Sequence, residues 1–212
     1  MSNSLQFKNF LQQKLIGILG FAKSSNIQEK TERQKSNANA ELAKLRRGIN
    51  HLPGDLPELW NYLYFDANNK NASKEQWAVY TAITLFAIHQ QSIDSNNPVH
   101  IEGKHFGSAV ADLVKSDEDE DRILKKLNAV VTASDKDGIS THLRMLIKLM
   151  KSQDQPIAID YVDLAEDLFW LQFDDPRISN KVRLKWGSDF YKKREYQKKQ
   201  NESIDKENKE NE

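Results

Sequence analysis

The sequence has no cysteine anywhere in its 212 residues. That excludes a disulfide framework, thiolate metal sites and cysteine nucleophiles, and it suits a reducing compartment such as the cytoplasm. Glycine and proline are scarce, at eight and five, so the punctuation that many short strands and tight turns require is thin. No sign of charge dominates either. The 31 basic residues balance 31 acidic ones, which argues against a strongly basic coat protein. Long apolar runs are missing too. The longest near the start, Leu15 to Ala22, falls well short of the about 20 residues that span a bilayer, and no small-residue cleavage site follows it. It reads as the apolar side of a first helix, so neither a signal peptide nor a membrane association is expected.

What is present is helical periodicity. It predicts a helix from about Leu5 to Ala22 and a second carrying Glu41 to Arg47, ended by Gly48 and the Leu52-Pro53-Gly54 segment. A short helix follows around Leu56 to Phe65. Ser73 with Gln76 has the spacing of a capping box, opening a helix through Ile93. In it Trp77, Tyr80, Thr84 and Ala87 form one stripe, and Val79, Ile83 and Phe86 another. A helix apolar on two sides is central and buried. Further helices are expected at Phe106–Val114, Asp117–Ala133, Ile139–Lys151, Asp160–Phe173 and Ile178–Tyr196. The fold class expected is therefore all-α: two small helical bundles, over residues 1–97 and 98–196, divided in the loop Ser92 to Pro98. Residues 197–212 are almost wholly polar and predict a disordered tail, because nothing apolar there offsets the entropy of ordering.

The usual catalytic signatures are absent. There is no phosphate-binding loop, no His-Glu-x-x-His and no Gly-x-Ser-x-Gly, so no catalytic residue is assigned. His100, Glu102 and His105 lie close in sequence and have the chemistry of metal ligands, but no fourth ligand is visible, and neither a metal site nor a cofactor is expected. The acidic run Asp117 to Asp121 reads as carboxylates gathered at a helix N-terminus, with Asp117 and Glu120 capping it, where the backbone dipole favours them. Asp160, Asp163, Glu166 and Asp167 are set opposite Tyr161, Leu164, Ala165 and Leu168 and read as a solvated face, or as a protein contact.

The neutral total hides segregation. Residues 122–151 hold seven Lys or Arg against two Asp, 152–176 hold seven acids and no cation, and 177–199 hold nine cations against two acids. The cations fall on helical stripes. Lys44 and Arg47, with Arg46 on the flank, oppose the apolar Leu42, Leu45 and Ile49. Arg122, Lys125 and Lys126 oppose Ile123, Leu127 and Val130; Arg144, Lys148 and Lys151 oppose Leu143, Leu146, Ile147 and Met150. Lys181 and Lys185 repeat the pattern on the last helix. One such stripe is an ordinary solvated surface. Several without interleaved carboxylates fit a track for a phosphate backbone, bound by counterion release and without sequence readout.

With those residues in place, the chain resembles the CasB family, the small subunit of the type I-E CRISPR Cascade complex. The likeness runs from about Ala40 to Lys193. Its landmarks are Leu42 to Arg47, Lys104 to Leu113, His142 to Leu146, Ile159 to Leu168, and Trp186 followed by Asp189 to Tyr191. The resemblance implies an all-helical, non-enzymatic, cytoplasmic antiviral-defence protein. It implies as partners the other Cascade subunits with their crRNA, a second copy of the chain, and target DNA. There it helps hold the R-loop, the displaced strand above all, while guide pairing reads the sequence. Residue by residue it reaches Leu45, Arg46 and Arg47, then Arg122, Lys125 and Lys126, and Leu143 with Arg144. Where relatives often carry a second arginine this chain has Met145, which leaves Lys148 to supply the charge. Residues 1–39 match no landmark. The competing reading is a helical scaffold or regulator that contacts only proteins.

Overall fold

The computed structural model describes residues 2–19, 32–64, 72–94 and 97–210. Eight α-helices are found among them: α1 (Ser2–Leu19), α2 (Glu32–Arg47), α3 (Ala72–His89), α4 (Phe106–Ala111), α5 (Asp117–Thr132), α6 (Lys136–Lys151), α7 (Tyr161–Leu171) and α8 (Pro176–Glu210). Two 3₁₀ segments, Gly48–Asn50 and Pro57–Tyr62, fill the connection after α2. The described residues contain no strand, only a parallel bridge between His100 and Ile159. The chain is all-α.

Helix α3 is the axle. Every residue from Trp77 to Gln90 is buried, as its two apolar stripes require. Helices α1, α2, α6 and α7 pack around it. Contacts of α3 with α6 and α7, and of α1 with α7, join the helices of residues 1–97 to those of 98–196 through one continuous core. Phe86 meets Tyr161 edge-on with ring centroids 5.4 Å apart, and the Tyr161 hydroxyl hydrogen-bonds His89 Nδ1 at 2.9 Å. Helix α1 belongs to this core, since Phe7, Leu11 and Leu15 are fully buried.

Helix ends depart from the sequence expectations for local reasons. Helix α5 is capped by Ser116, whose side chain accepts from the Asp119 amide, not by Asp117. Helix α6 starts three residues early, because Asp135 caps it by accepting from the Gly138 amide at 2.7 Å. Helix α3 already includes Ala72, so Ser73 lies inside the first turn instead of capping it. The segment around Leu56 is 3₁₀, with Pro57 at its start. The larger correction concerns the expected disordered tail. Helix α8 does not stop at Tyr196 but runs to Glu210, and only residues 211–212 of that segment lie outside the described residues. Polar contacts replace the missing apolar ones. Arg194, only 7% exposed, pairs with Glu120 at 2.9 Å, Lys198 joins the same carboxylate at 3.0 Å, and Gln197 donates to Asp112 at 2.8 Å. Beyond them Lys199 pairs with Glu195 at 2.7 Å, the i,i+4 geometry that supports an exposed helix.

Candidate nucleic-acid interface

The expected cations separate into three groups once the helices are packed. Several are neutralised on their own element or nearby. Lys44 pairs with Glu41 at 2.6 Å, Arg47 with Glu58 at 2.8 Å and Arg122 with Asp119 at 2.6 Å. Lys44, with help from the Tyr62 hydroxyl, holds the Glu41 carboxyl below its usual range. These pairs are partly exposed and contribute little to stability, but each one dilutes the local field.

A second group converges. Helix α2 packs on α3 beside α6, which brings Arg46 to the C-terminal end of α6. There Lys151 is held below its ordinary pKa, first by desolvation and then by repulsion from Arg46 and Lys148. Arg46 and Lys148 therefore lie near Lys151, and no carboxylate counters them there. Arg46 and Lys148 have no ion pair with any described residue. Arg144 donates to the Asn50 side chain at 2.8 Å and Lys151 to that of Gln91 at 3.3 Å. Both partners are neutral amides, which orient a cation without cancelling it. On the other side of α6, Lys125 and Lys126 of α5 line a groove with Arg122, His142 and Met145, and the carboxylates Glu118 and Asp121 line the same groove. Met145 and Lys148, one turn apart on the exposed side of α6, carry the surface from this groove to the Arg46 cluster. These cations of α5, α6 and α2 are the candidate basic band, with Glu118 and Asp121 at its α5 end.

The third group lies elsewhere. Lys181 and Lys185 stand where α8 meets α7, beside Glu166, Asp167 and Trp170. Lys185, expected on an outer basic stripe, points inward and bridges Asp163 at 2.8 Å and Asp167 at 2.9 Å. Burial opposes its charge, but the two carboxylates outweigh that and hold its pKa above the ordinary value. The acids of α7 are corrected with it, since they are not a solvated face. Asp160 and Asp167 are buried, Asp160 caps α7 and accepts from the Gly103 amide at 2.9 Å, and Asp167 accepts from the Trp186 indole at 2.6 Å. Desolvation pushes Asp167 up to about 6. Asp163 is less deeply set, and despite burial its bonds to His105 and Lys185 hold it below the usual carboxylate range. The helical wheel carried this signal: at about 100° per residue Asp160 and Asp167 fall within about 60° of Leu164, on the buried side.

The histidines around Glu102 do not converge on a common point. His100 Nδ1 accepts from the Tyr161 amide at 3.1 Å and its Nε2 meets Gln12 at 3.3 Å, while His105 Nδ1 meets Asp163 at 3.0 Å. Among the described residues no cluster of His, Asp or Glu is arranged to hold a metal, and no helix is long and apolar enough to cross a membrane. His142, Asn50 and Gln91 were not among the site residues expected from the sequence. Nothing in local periodicity marks them, because their neighbours in the band come from other helices.

Residues 41–191 match the family model described as CRISPR-associated protein Cse2. The chain belongs to the Cse2 family. Its fold is similar to the crystal structure of CasB from Thermobifida fusca, with 26% identity, a TM-score of 0.65, and coverage of 88% of this chain and 96% of that one. It also resembles a Cse2-family CRISPR-associated protein from Thermus thermophilus, at 21% identity and TM-score 0.58 over 90% of this chain and 99% of that one. CasB from M. ruber matches at 21% identity and TM-score 0.58, over 95% of this chain and 97% of that one. No curated protein sequence matches the chain. The Cse2 match takes in the whole basic band and stops short of α1 and the end of α8. Several landmarks of the resemblance prove to be joints of the core. Phe106 meets Trp186 at 4.8 Å between ring centroids, and Asp160 and Asp167 fasten α7 at its N-terminus and in its middle.

Proposed function

We propose that this Cse2-family chain is a non-catalytic subunit of the type I-E Cascade complex, and that its basic band holds the opened DNA strands of the R-loop, chiefly the displaced one. The other Cascade subunits with their crRNA, and a second copy of the chain, are its partners. The observation that carries the reading is the gathering of Arg46, Lys148 and Lys151 from two helices with no carboxylate among them. Lys125 and Lys126 extend it along α5. Lys181 and Lys185 have no part in it. The chemistry suits a partner read by charge alone: exposed ammonium and guanidinium groups bind phosphates of any sequence and leave base pairing with the guide to supply specificity.

The test is salt-dependent binding of a single-stranded oligonucleotide by the full-length protein, followed by fluorescence anisotropy. The triple variant R46A/K148A/K151A is expected to bind more weakly at every salt concentration. The slope of log affinity against log salt should become shallower by about 2, at about 0.7 per lost phosphate contact. An unchanged slope in a folded variant refutes the band. A scaffold that contacts only proteins would show that result while still assembling with its partners.

A further inference from the structure

A polar cavity of about 400 Å³ opens where α3, α6 and residues 49–53 meet. That is within the size range of small-molecule sites, about 300–1,000 Å³. Its α6 wall is a single helix face, on which Asp137, Ser140, Thr141 and Arg144 follow each other at i, i+3, i+4 and i+7. Its floor is α3. There the Tyr80 hydroxyl is spent on the Gly48 carbonyl at 2.9 Å, and that of Thr84 on the Tyr80 carbonyl at 2.8 Å. Thr81 is different. It is only 5% exposed, yet its hydroxyl has no hydrogen-bond partner among the described residues, and that oxygen opens on the cavity instead of being sealed in the core. A hydroxyl held this deep without a partner costs free energy that a bound hydrogen-bonding group recovers. The Ser140 and Thr141 hydroxyls of the facing wall are likewise without partners among the described residues.

Charge is polarised along the same wall. Arg144 gives one N–H to Asn50 at 2.8 Å, and the rest of its five donors meet no described residue. Asp137 has no ion pair with any described residue, and seven residues of helix put its Cα about 10 Å from that of Arg144. On the opposite rim His51 and Asp55, 3.9 Å apart, answer each other. The open groups are thus a guanidinium at one end, a carboxylate at the other, and hydroxyls. We infer that this cavity binds a sugar phosphate. The phosphate meets Arg144, whose planar fork matches its oxygens. The sugar hydroxyls, each a donor and an acceptor, meet Thr81, Ser140 and Thr141, and one of them donates to Asp137. An apolar side chain or a simple anion would leave those three oxygens unpaired. The inference does not need the band, since Arg46, Lys148 and Lys151 do not line the cavity. A free nucleoside monophosphate and the 5′-phosphorylated end of a strand offer this same chemistry.

The experiment titrates the full-length protein calorimetrically with ribose 5-phosphate, ribose and inorganic phosphate. Ribose 5-phosphate is expected to bind more tightly than either fragment. T81V, which removes the hydroxyl, should weaken it by about twofold to tenfold, and R144Q by about tenfold to a hundredfold. T81V should unfold no earlier than wild type, because the hydroxyl it removes has no partner. The triple variant R46A/K148A/K151A should change sugar-phosphate affinity far less than R144Q does, which separates this site from the band. No binding of ribose 5-phosphate, or binding no tighter than that of inorganic phosphate, overturns the inference. So does equal loss in R144Q and the triple variant with none in T81V, the pattern of charge attraction without a cavity. Two oligonucleotides that differ only in a 5′-phosphate then identify the source. A preference for the phosphorylated one that T81V removes places strand ends in the cavity, and equal binding of both leaves the free sugar phosphate as its ligand.

Discussion

Replacing Gly107 by alanine tests a close backbone approach, the tightest at any described glycine, where α4 meets α8. A Cβ added at Gly107 would lie 2.2 Å from the backbone oxygen of Trp186 and 2.9 Å from its carbonyl carbon and Cα. An unstrained carbon–oxygen contact is about 3.3 Å, so the two helices must separate by roughly 1 Å. Both sides of the clash are backbone, and no side chain can swing away. Overpacking of this kind costs about 1–3 kcal/mol and sometimes more. Alanine in a helix otherwise gains about 1 kcal/mol over glycine; taking the upper end of the cost, about 3 kcal/mol, because a backbone contact this close cannot swing aside, the expected net loss is about 2 kcal/mol. For a chain of this size that lowers Tm by about 4–8 °C. Separating the helices also parts Phe106 from Trp186, whose rings now pack at 4.8 Å.

Gly187 supplies the control. It is the next residue on α8 after Trp186, inside the helix, and a Cβ there would meet nothing within 4 Å. G187A should gain about 1 kcal/mol from helix propensity alone. The two substitutions are chemically identical and are expected to move Tm in opposite directions. Thermal unfolding followed by circular dichroism at 222 nm, repeated with urea, reads both. A G107A protein as stable as G187A would show that α4 and α8 are not in backbone contact, and the placement of the Phe106–Trp186 joint would fall with it.

Two further outcomes separate structural from interface charge. K185M should destabilise the fold by about 3 kcal/mol, the low end for stripping a buried pair of its partner because Lys185 is 32% exposed, while leaving oligonucleotide affinity unchanged; lost affinity in a stable K185M would return this lysine to the interface. His89 is buried and held down to about 3 by desolvation and then by Lys151, so the unfolded state binds its proton first and stability is lost as pH falls below about 6.5. Between pH 7 and 5 the loss should be about 2 kcal/mol, absent in H89Q by urea unfolding, and an imidazole that titrates near 6 by NMR would refute it.

How much of this was legible in the sequence depended on which physics set each feature. The existence of the helices follows from apolar spacing, and α3 was readable as the central one because Trp77, Val79, Tyr80, Ile83 and Phe86 leave it no polar side. The cap of α5 was misread because Ser116 precedes the charged run, and the start of α6 because Asp135 caps it ahead of the apolar spacing. The end of α8 was missed because apolar burial does not mark it, while Arg194, Gln197 and Lys198 hold that segment by reaching Glu120 and Asp112. Those partners lie more than 70 residues away in sequence. No local pattern records them.

The same distinction governs the site. Periodicity identifies which cations lie off the apolar stripe, and it identifies Lys148 and Lys185 equally well. What separates them is the partner each meets after packing. Lys185 meets two aspartates and becomes part of the interior. Arg144 and Lys151 meet Asn50 and Gln91, amides that fix direction and leave the full charge outside. Arg46 and Lys148 add theirs to the same place. Under the proposed function, a chain with zero net charge still offers a polyanion a local cluster of positive charge at Arg46, Lys148 and Lys151. It needs only to settle its acids against the cations that hold the helices together and to orient the remaining ones with neutral groups. On that proposal, binding strength follows the few unneutralised side chains where Arg46 nears the end of α6, and the number of Lys and Arg in the sequence has little say in it.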